Sequence, residues 1–319
     1  MQRFLLGRLI QACGVLFVVS VITFVLIHAA PGGPALLLQP DLTREQIQEL
    51  RADLGLDDPI PIQYARWLAN VAQGKLGRSL SQGAPVTTLI AERLPATLLL
   101  SGAALLLTLV VGIPLGILSA VKRGGIADYL ATGFAFLGMS IPVFWLGILL
   151  ILVFSVQLGL LPSAGMYSLD QPFSVGDRLR YLVMPTVVLA FANLAQIIRY
   201  TSSSLLGVLA EDYVRTARAK GLGERVVLFG HAFRAALVPV VTVVGLLLPR
   251  LVGGAAITEA IFAWPGMGRL AVDSAVQRDY PLIMGITLMI SAVVILSNLV
   301  VDVIYGRVDP RIRVGGPAT

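Results

Sequence analysis

Six stretches of this chain are long enough and apolar enough to cross a lipid bilayer: Leu9–His28, Thr97–Val121, Tyr129–Val156, Tyr181–Tyr200, Leu237–Phe262 and Pro281–Tyr305. A crossing takes about 20 apolar residues at about 1.5 Å of rise each. Inside hydrocarbon every backbone N–H and C=O must be satisfied within the protein, so runs of this length fold as helices. The fold class that follows is an all-α membrane protein with six transmembrane helices. Composition agrees: of 319 residues, 56% are hydrophobic and 13% charged, about half the charged share of a soluble domain. The third stretch is the longest and contains Pro142, which predicts a tilt or kink there. Gly112-Ile-Pro-Leu-Gly116 sets two glycines four apart, a face on which a second helix can pack closely.

Charge sets the expected orientation. Lys and Arg collect on the cytoplasmic side of membrane proteins, so a net charge of +6 reports loop placement rather than affinity for nucleic acid. With the N-terminus inside, thirteen basic residues fall on short inner segments or, as Arg199, at their edge, among them Arg3, Arg8, Lys122, Arg123, Arg215, Arg218, Lys220 and Arg225. The short outer loops then hold only Arg178, Arg180, Arg269 and Arg278. Both termini are therefore expected in the cytoplasm. Arg3 and Arg8 ahead of the first run, with Ala29-Ala30 after it, have the look of a signal peptide. The run is longer than the about 7–15 residues of a signal core, so a retained anchor is expected. The single cysteine, Cys13, excludes an intrachain disulfide, and with only His28 and His231 beside it no Cys/His metal set is available.

The chain divides by this reading into a first span with an external loop (1–95), a five-helix core (96–306) and a short tail (307–319). The external loop is partly helical. Thr43-Arg44-Glu45-Gln46 reads as a capping box, followed by Ile47, Leu50 and Leu54 on one helical face, with Gly55 as a left-handed stop. A second helix is expected from Ile62 to about Gln73, with Trp67, Leu68 and Val71 on one side and Gly74 ending it. The loop is expected to form a cap packed on the spans, a docking surface or lid over a pore mouth, or both.

The segment 211–222, EDYVRTARAKGL, is a charged island between apolar runs. Glu211 and Asp212 open it while Arg218 and Lys220 close it, which suits a helix dipole. Glu211 and Arg215 stand four apart in the favourable order. Gly221 and Gly223 supply a stop. A short helix of about three turns follows, inside a loop 201–236 between the fourth and fifth spans. Alanines at 217 and 219 leave little bulk and would let another protein surface approach.

Arg215-Thr216-Ala217-Arg218-Ala219-Lys220-Gly221 resembles the "EAA" loop of permease subunits of ATP-binding-cassette importers. The wider stretch Glu211–Thr242 is similar to the dipeptide, oligopeptide and nickel branch of that family. The likeness continues through LGLDDPIPIQYARWL (54–68), GKLGRSL (74–80), ERLPATLLL (92–100), IPVFWLGILL (141–150), TEAIFAWPGMGRL (258–270), RDYPLIMG (278–285) and NLVVDVIYGRVDPRIR (298–313). Two departures stand out: the leading acid of the EAA pattern falls on Arg215, and Gly33 takes the place of an acid in the first-loop motif. The resemblance implies a type I importer permease fold in the bacterial cytoplasmic membrane. It implies a heterodimer with a sister permease, an extracytoplasmic substrate-binding protein, and two ATPase subunits that carry ATP and Mg, with no cofactor on this chain. The implied cargo is a di- or oligopeptide, with nickel chelates or glutathione as alternatives in the same branch. By the same resemblance Glu211, Tyr213, Arg215, Thr216, Ala217, Arg218, Ala219, Lys220 and Gly221 form the coupling helix that docks on an ATPase.

Polar residues inside the spans are costly and mark candidate path or packing positions. Arg250 and Glu259 lie on the fifth span, nine residues apart and on opposite faces, so they do not pair within an ideal helix. Arg250 is expected to face a watery path or an acid of the sister permease, and Glu259 to anchor the turn after it. Asn193 and Gln196 share a face of the fourth span, and Asn298 lies late in the sixth; interhelix hydrogen bonding is their expected role. The phosphate loop G-x-x-x-x-G-K-[ST] is absent, so ATP hydrolysis belongs to other subunits and the chain is not expected to be an enzyme. An ion-coupled secondary transporter is the alternative of a different class. It requires internal repeats and intramembrane ion ligands, and no convincing repeat is present.

Overall fold

The computed structural model describes residues 2–30, 33–34, 43, 45, 48, 55–168 and 172–308. Among the described residues the chain consists of helices joined by turns, with one isolated bridge between Arg78 and Pro85. In chain order the helices are α1 (Gln2–Ala29), α2 (Ile60–Ala72), α3 (Val86–Val121), α4 (Ile126–Ser140), α5 (Val143–Leu150), α6 (Val175–Leu209), α7 (Asp212–Ala219), α8 (Phe233–Ile261), α9 (Met267–Val276) and α10 (Tyr280–Val308). A π-helical stretch Ile151–Gln157 extends α5. A single turn Glu224–Val226 and a π-helical stretch Val227–Ala232 lead into α8.

Four of the expected spans are unbroken helices, over Gly7–Ala29, Val86–Val121, Val175–Leu209 and Tyr280–Val301. The other two are bent pairs. Glu224–Leu237 and Pro239–Leu247 meet at 47°, while Ile126–Ser140 and Val143–Gln157 meet at 103°. The second bend is far sharper than a kink and corrects the expectation of one continuous third span. Its cause is local. Pro142 lacks an N–H and its ring disfavours the helical region for the residue before it. Ile141 (φ −82°, ψ 121°) and Pro142 (φ −61°, ψ 135°) are accordingly both extended. Each half has 15 residues, about 22 Å of helix, which falls short of a full crossing. Pro185, by contrast, sits within α6, which remains one helix.

The chain forms two compact units. The first comprises residues Met1–Thr97 and Pro265–Ile295, the second Leu98–Trp264 and Leu296–Thr319. In the first, Val86, Leu89 and Ile90 of α3 pack with Met267 and Leu270 of α9 and with Leu282 and Ile286 of α10. Gly285 is required here, because a Cβ on it would run into Val86 Cγ1. The Thr97 hydroxyl accepts the Met267 N–H at 2.7 Å and so satisfies a free donor at the start of α9. The α2 helix leans on α1. Tyr64 Oη and Ser20 Oγ are 2.8 Å apart, and the Tyr64 ring meets Phe24 edge-on. The expected inner face of α2 needs correction: Trp67 and Val71 are half-buried, but Leu68 is exposed, and Tyr64 takes its place. Gly74 (φ +76°) ends α2 in the left-handed turn expected of it. Gly55 (φ +66°) is left-handed as well, whereas the capping box at 43–46 and the helix after it lie largely outside the described residues.

Asp279 is a buried polar hub of this unit. Its side chain is fully buried. One oxygen accepts the Ser79 hydroxyl at 2.6 Å, the Ser81 hydroxyl at 2.8 Å and the Ser81 N–H at 2.9 Å. The other accepts the Leu282 N–H at 3.2 Å, at the start of α10. Burial pushes its pKa up, but these donors favour the charged form more strongly and hold it below the ordinary carboxylate range.

In the second unit α6 is the central helix. The two glycines of α3 meet it as the small-residue pattern predicts. A Cβ on Gly112 would lie 2.8 Å from Ile197 Cγ2, and one on Gly116 would lie 2.8 Å from the Ile198 carbonyl oxygen. Gly138 brings α4 equally close to the Phe191 carbonyl. Backbones approach because nothing stands between them, which is how helices gain contact where lipid supplies no hydrophobic drive.

Candidate functional site

The charged island folds as α7, 8 residues and about two turns rather than the three expected. Its N-cap, Glu211, is extended (φ −70°, ψ 147°) and makes no side-chain cap bond. Asp212 lies in the first turn and Arg218 in the last, each at the helix end that favours its charge. Gly221 (φ +79°) supplies the left-handed stop. Gly223 (φ −61°, ψ 143°) is extended instead, and the next helical turn starts from it.

Two side chains fix α7 to the bundle. Val214 is completely buried and Ala217 is 7% exposed. Both belong to one hydrophobic cluster with Ala120 of α3, Leu205 of α6, Val227 and Ala232 of the π-helical stretch, and Ala236 of α8. Ala217 is thus small because its own chain presses on it, and the expectation that its size makes room for another protein is corrected. Ala219 is exposed and keeps that role open. The missed signal was the spacing of Val214 and Ala217, three apart on one helical face in an otherwise polar segment.

A charged clasp adds to this anchoring. The Arg218 guanidinium donates to both carboxylate oxygens of Glu224, at 2.9 and 3.4 Å, across the Gly221–Gly223 turn. Arg215 pairs with Asp212 at 3.3 Å, three residues away, in place of the expected Glu211. Both pairs are well exposed, so each contributes at most about 1 kcal/mol. They orient side chains more than they hold the helix. The outward face of the segment presents Glu211, Asp212, Tyr213, Arg215, Thr216, Arg218, Ala219 and Lys220, with Gly221 at its end. Leu222, Val226 and Phe229 are exposed just beyond it. This is an unusual concentration of aromatic, apolar and basic groups for a two-turn helix and its exit.

The other candidates are dispersed. Asn193 and Gln196 are half-buried on α6, but the Asn193 amide donates at 3.0 Å to the Leu189 carbonyl of its own helix rather than to another span. Glu259 is fully buried in the last turn of α8. Its carbonyl accepts the N–H of the fully buried Trp264 at 2.8 Å, closing the turn that follows. Asn298 is exposed on α10. The Arg250 side chain lies outside the described residues. Among the described residues no group of three or more His, Cys, Asp or Glu could hold a metal ion.

Four unbroken helices and two bent helix pairs of span-like length and hydropathy define a multi-pass helical membrane protein, and α7 is its short polar helix. The chain belongs to the family described as binding-protein-dependent transport system inner membrane component, whose model matches residues 112–314; a companion model for the N-terminal part of such components matches residues 1–101. It is 44% identical to the oligopeptide transport system permease protein AppB of Bacillus subtilis, over 98% of this chain and 100% of that protein. It is 40% identical to the dipeptide transport system permease protein DppB of Escherichia coli K12, over 98% of this chain and 99% of that one. Among solved structures, a chain of the inward-facing MetNI methionine ABC transporter superposes with a TM-score of 0.54 at 21% identity, covering 70% of this chain and 97% of that chain. That likeness concerns the fold, which is the type I importer permease fold.

Proposed function

We propose that this chain is one of two permease subunits of an ATP-driven importer for di- or oligopeptides, and that α7 is the helix through which ATPase subunits move it. The carrying observation is the end-to-end likeness to permeases named for oligopeptide and dipeptide transport. The bias of basic residues supports a topology with both termini and α7 in the cytoplasm. A sister permease completes the path, a binding protein delivers cargo from outside, and two ATPase subunits carry the ATP and Mg.

The packing supports a mechanical account. Val214 and Ala217 set α7 into one hydrophobic cluster with residues of α3, α6 and α8. Interiors packed this closely shift as bodies rather than deform. A displacement of α7 when the ATPases close on ATP is therefore passed to three long helices together, turning the path from one side of the membrane to the other. Tyr213, Arg215, Ala219 and Lys220 are the contact residues, Ala219 by allowing close approach and the bases by pairing with acids of the ATPase.

Gentle purification of the tagged chain is expected to bring down a second permease and the ATPases. The reconstituted complex is expected to take up labelled dipeptide with ATP and binding protein present. Uptake by the chain alone on an ion gradient would contradict the proposal.

A further inference from the structure

The second unit contains a cavity of about 450 Å³ lined by the end of α3, by α4 and by α6. We propose that it is a phospholipid site, with the phosphate of a headgroup at its polar end and an acyl chain at its apolar end. Arg123, in the turn between α3 and α4, and Arg199, on α6, both line it. Among the described residues neither guanidinium forms an ion pair within 4.0 Å; the charge of Arg123 acts on Asp128 from farther off, and Arg199 lies over the ring of its neighbour Tyr200 at 5.7 Å. Ser202 and Ser203 add hydroxyls from the same helix.

Asp128 also lies at this end, but its oxygens are turned to the protein. One accepts the Ser119 hydroxyl and the other the Gly124 N–H at 2.9 Å. The Ser119 oxygen is in turn 3.1 Å from that of Ser202. With two guanidinia against one carboxylate, the end is net positive. Serine hydroxyls and forked guanidinia match phosphate oxygens well.

The other end decides between a lipid and a free anion. Asp128, Thr132, Ala135, Phe136 and Met139 line the cavity from α4. Their spacing places them along one helical face, over about 16 Å of rise. Phe136 and Met139 are 67% and 55% exposed. A dissolved phosphate uses none of that apolar length, whereas an acyl chain covers it. Basic pockets between spans near the membrane surface suit anionic headgroups.

The test uses the assembled transporter, stripped of lipid in detergent and offered phosphatidylglycerol or phosphatidylcholine, with retained lipid read by native mass spectrometry. Wild type is expected to retain phosphatidylglycerol preferentially. R123Q/R199Q is expected to lose it by about tenfold or more, while R225A, outside the cavity, is not. F136Q, at the apolar end, is expected to weaken retention independently, so the proposal stays testable if the arginine pair proves necessary for assembly. Unchanged retention in R123Q/R199Q or in F136Q overturns it. Displacement of the lipid by millimolar inorganic phosphate also overturns it, in favour of a simple anion site.

Discussion

Ala217 and Ala219 sit two residues apart on α7 and face opposite ways, so one substitution at each separates folding from docking. Ala217→Leu forces bulk into the buried cluster around Ala217 and is expected to destabilise the chain by about 1–3 kcal/mol, seen as a lower thermal midpoint in detergent. Ala219→Leu is expected to leave that midpoint unchanged while sharply lowering cargo-stimulated ATP hydrolysis. Asp279 makes a second prediction at this scale. Its pKa is lowered in the folded state, so its contribution is fully present above the unfolded value of about 3.9 and is lost as pH falls through the folded one. Asp279→Asn weakens hydrogen bonds to a charged group, each contributing about 1.5–3 kcal/mol. It is expected to lower the midpoint at pH 7 and to flatten its fall below about pH 4.

At the scale of elements, the helix packing rests on absent side chains. Gly116→Ile places a Cβ against the Ile198 carbonyl and Thr201, and backbone has no rotamer by which to give way. The expected result is a cost of about 3 kcal/mol or more and poor recovery of assembled transporter, whereas Gly133→Ala, with open space around its Cβ position, is expected to be silent. The exposed Arg218–Glu224 clasp is expected to matter little for stability, about 0.5 kcal/mol in R218A or E224A by thermal unfolding. If its role is to orient α7, the R218E/E224R exchange should recover more coupled ATPase activity than either single reversal. Much of this scale was legible in the sequence. The unbroken spans follow from hydropathy and the α3–α6 contact from Gly112 and Gly116, while Pro142 announced a tilt or kink and not the 103° break found at 141–142. Facing was harder to read. A helix such as α3 is apolar all round, and lipid is as apolar as leucine, so the pattern does not say which side meets protein. The same gap explains Leu68 and Tyr64 on α2, where the Tyr64 hydroxyl found a partner in Ser20 that no local pattern could foretell. The site was legible as a location, residues 211–221, but its inward anchor, Val214 with Ala217, was not separated from its outward face.

For the whole molecule, the family membership and the permease fold place this chain in a transport assembly, and α7 is the element proposed to receive force from the ATPases. It is short, exposed on one face, and on the other shares a hydrophobic cluster with residues of α3, α6 and α8. The most direct measurement is a cross-link. With Cys13 replaced by serine, a single cysteine at Lys220 would be offered to the ATPase subunits in transporter that imports peptide. The account predicts efficient capture of an ATPase subunit, and none from a cysteine at Gln73, at the end of α2. An actively importing complex in which the residue-220 cysteine never captures an ATPase, while other positions do, would contradict it.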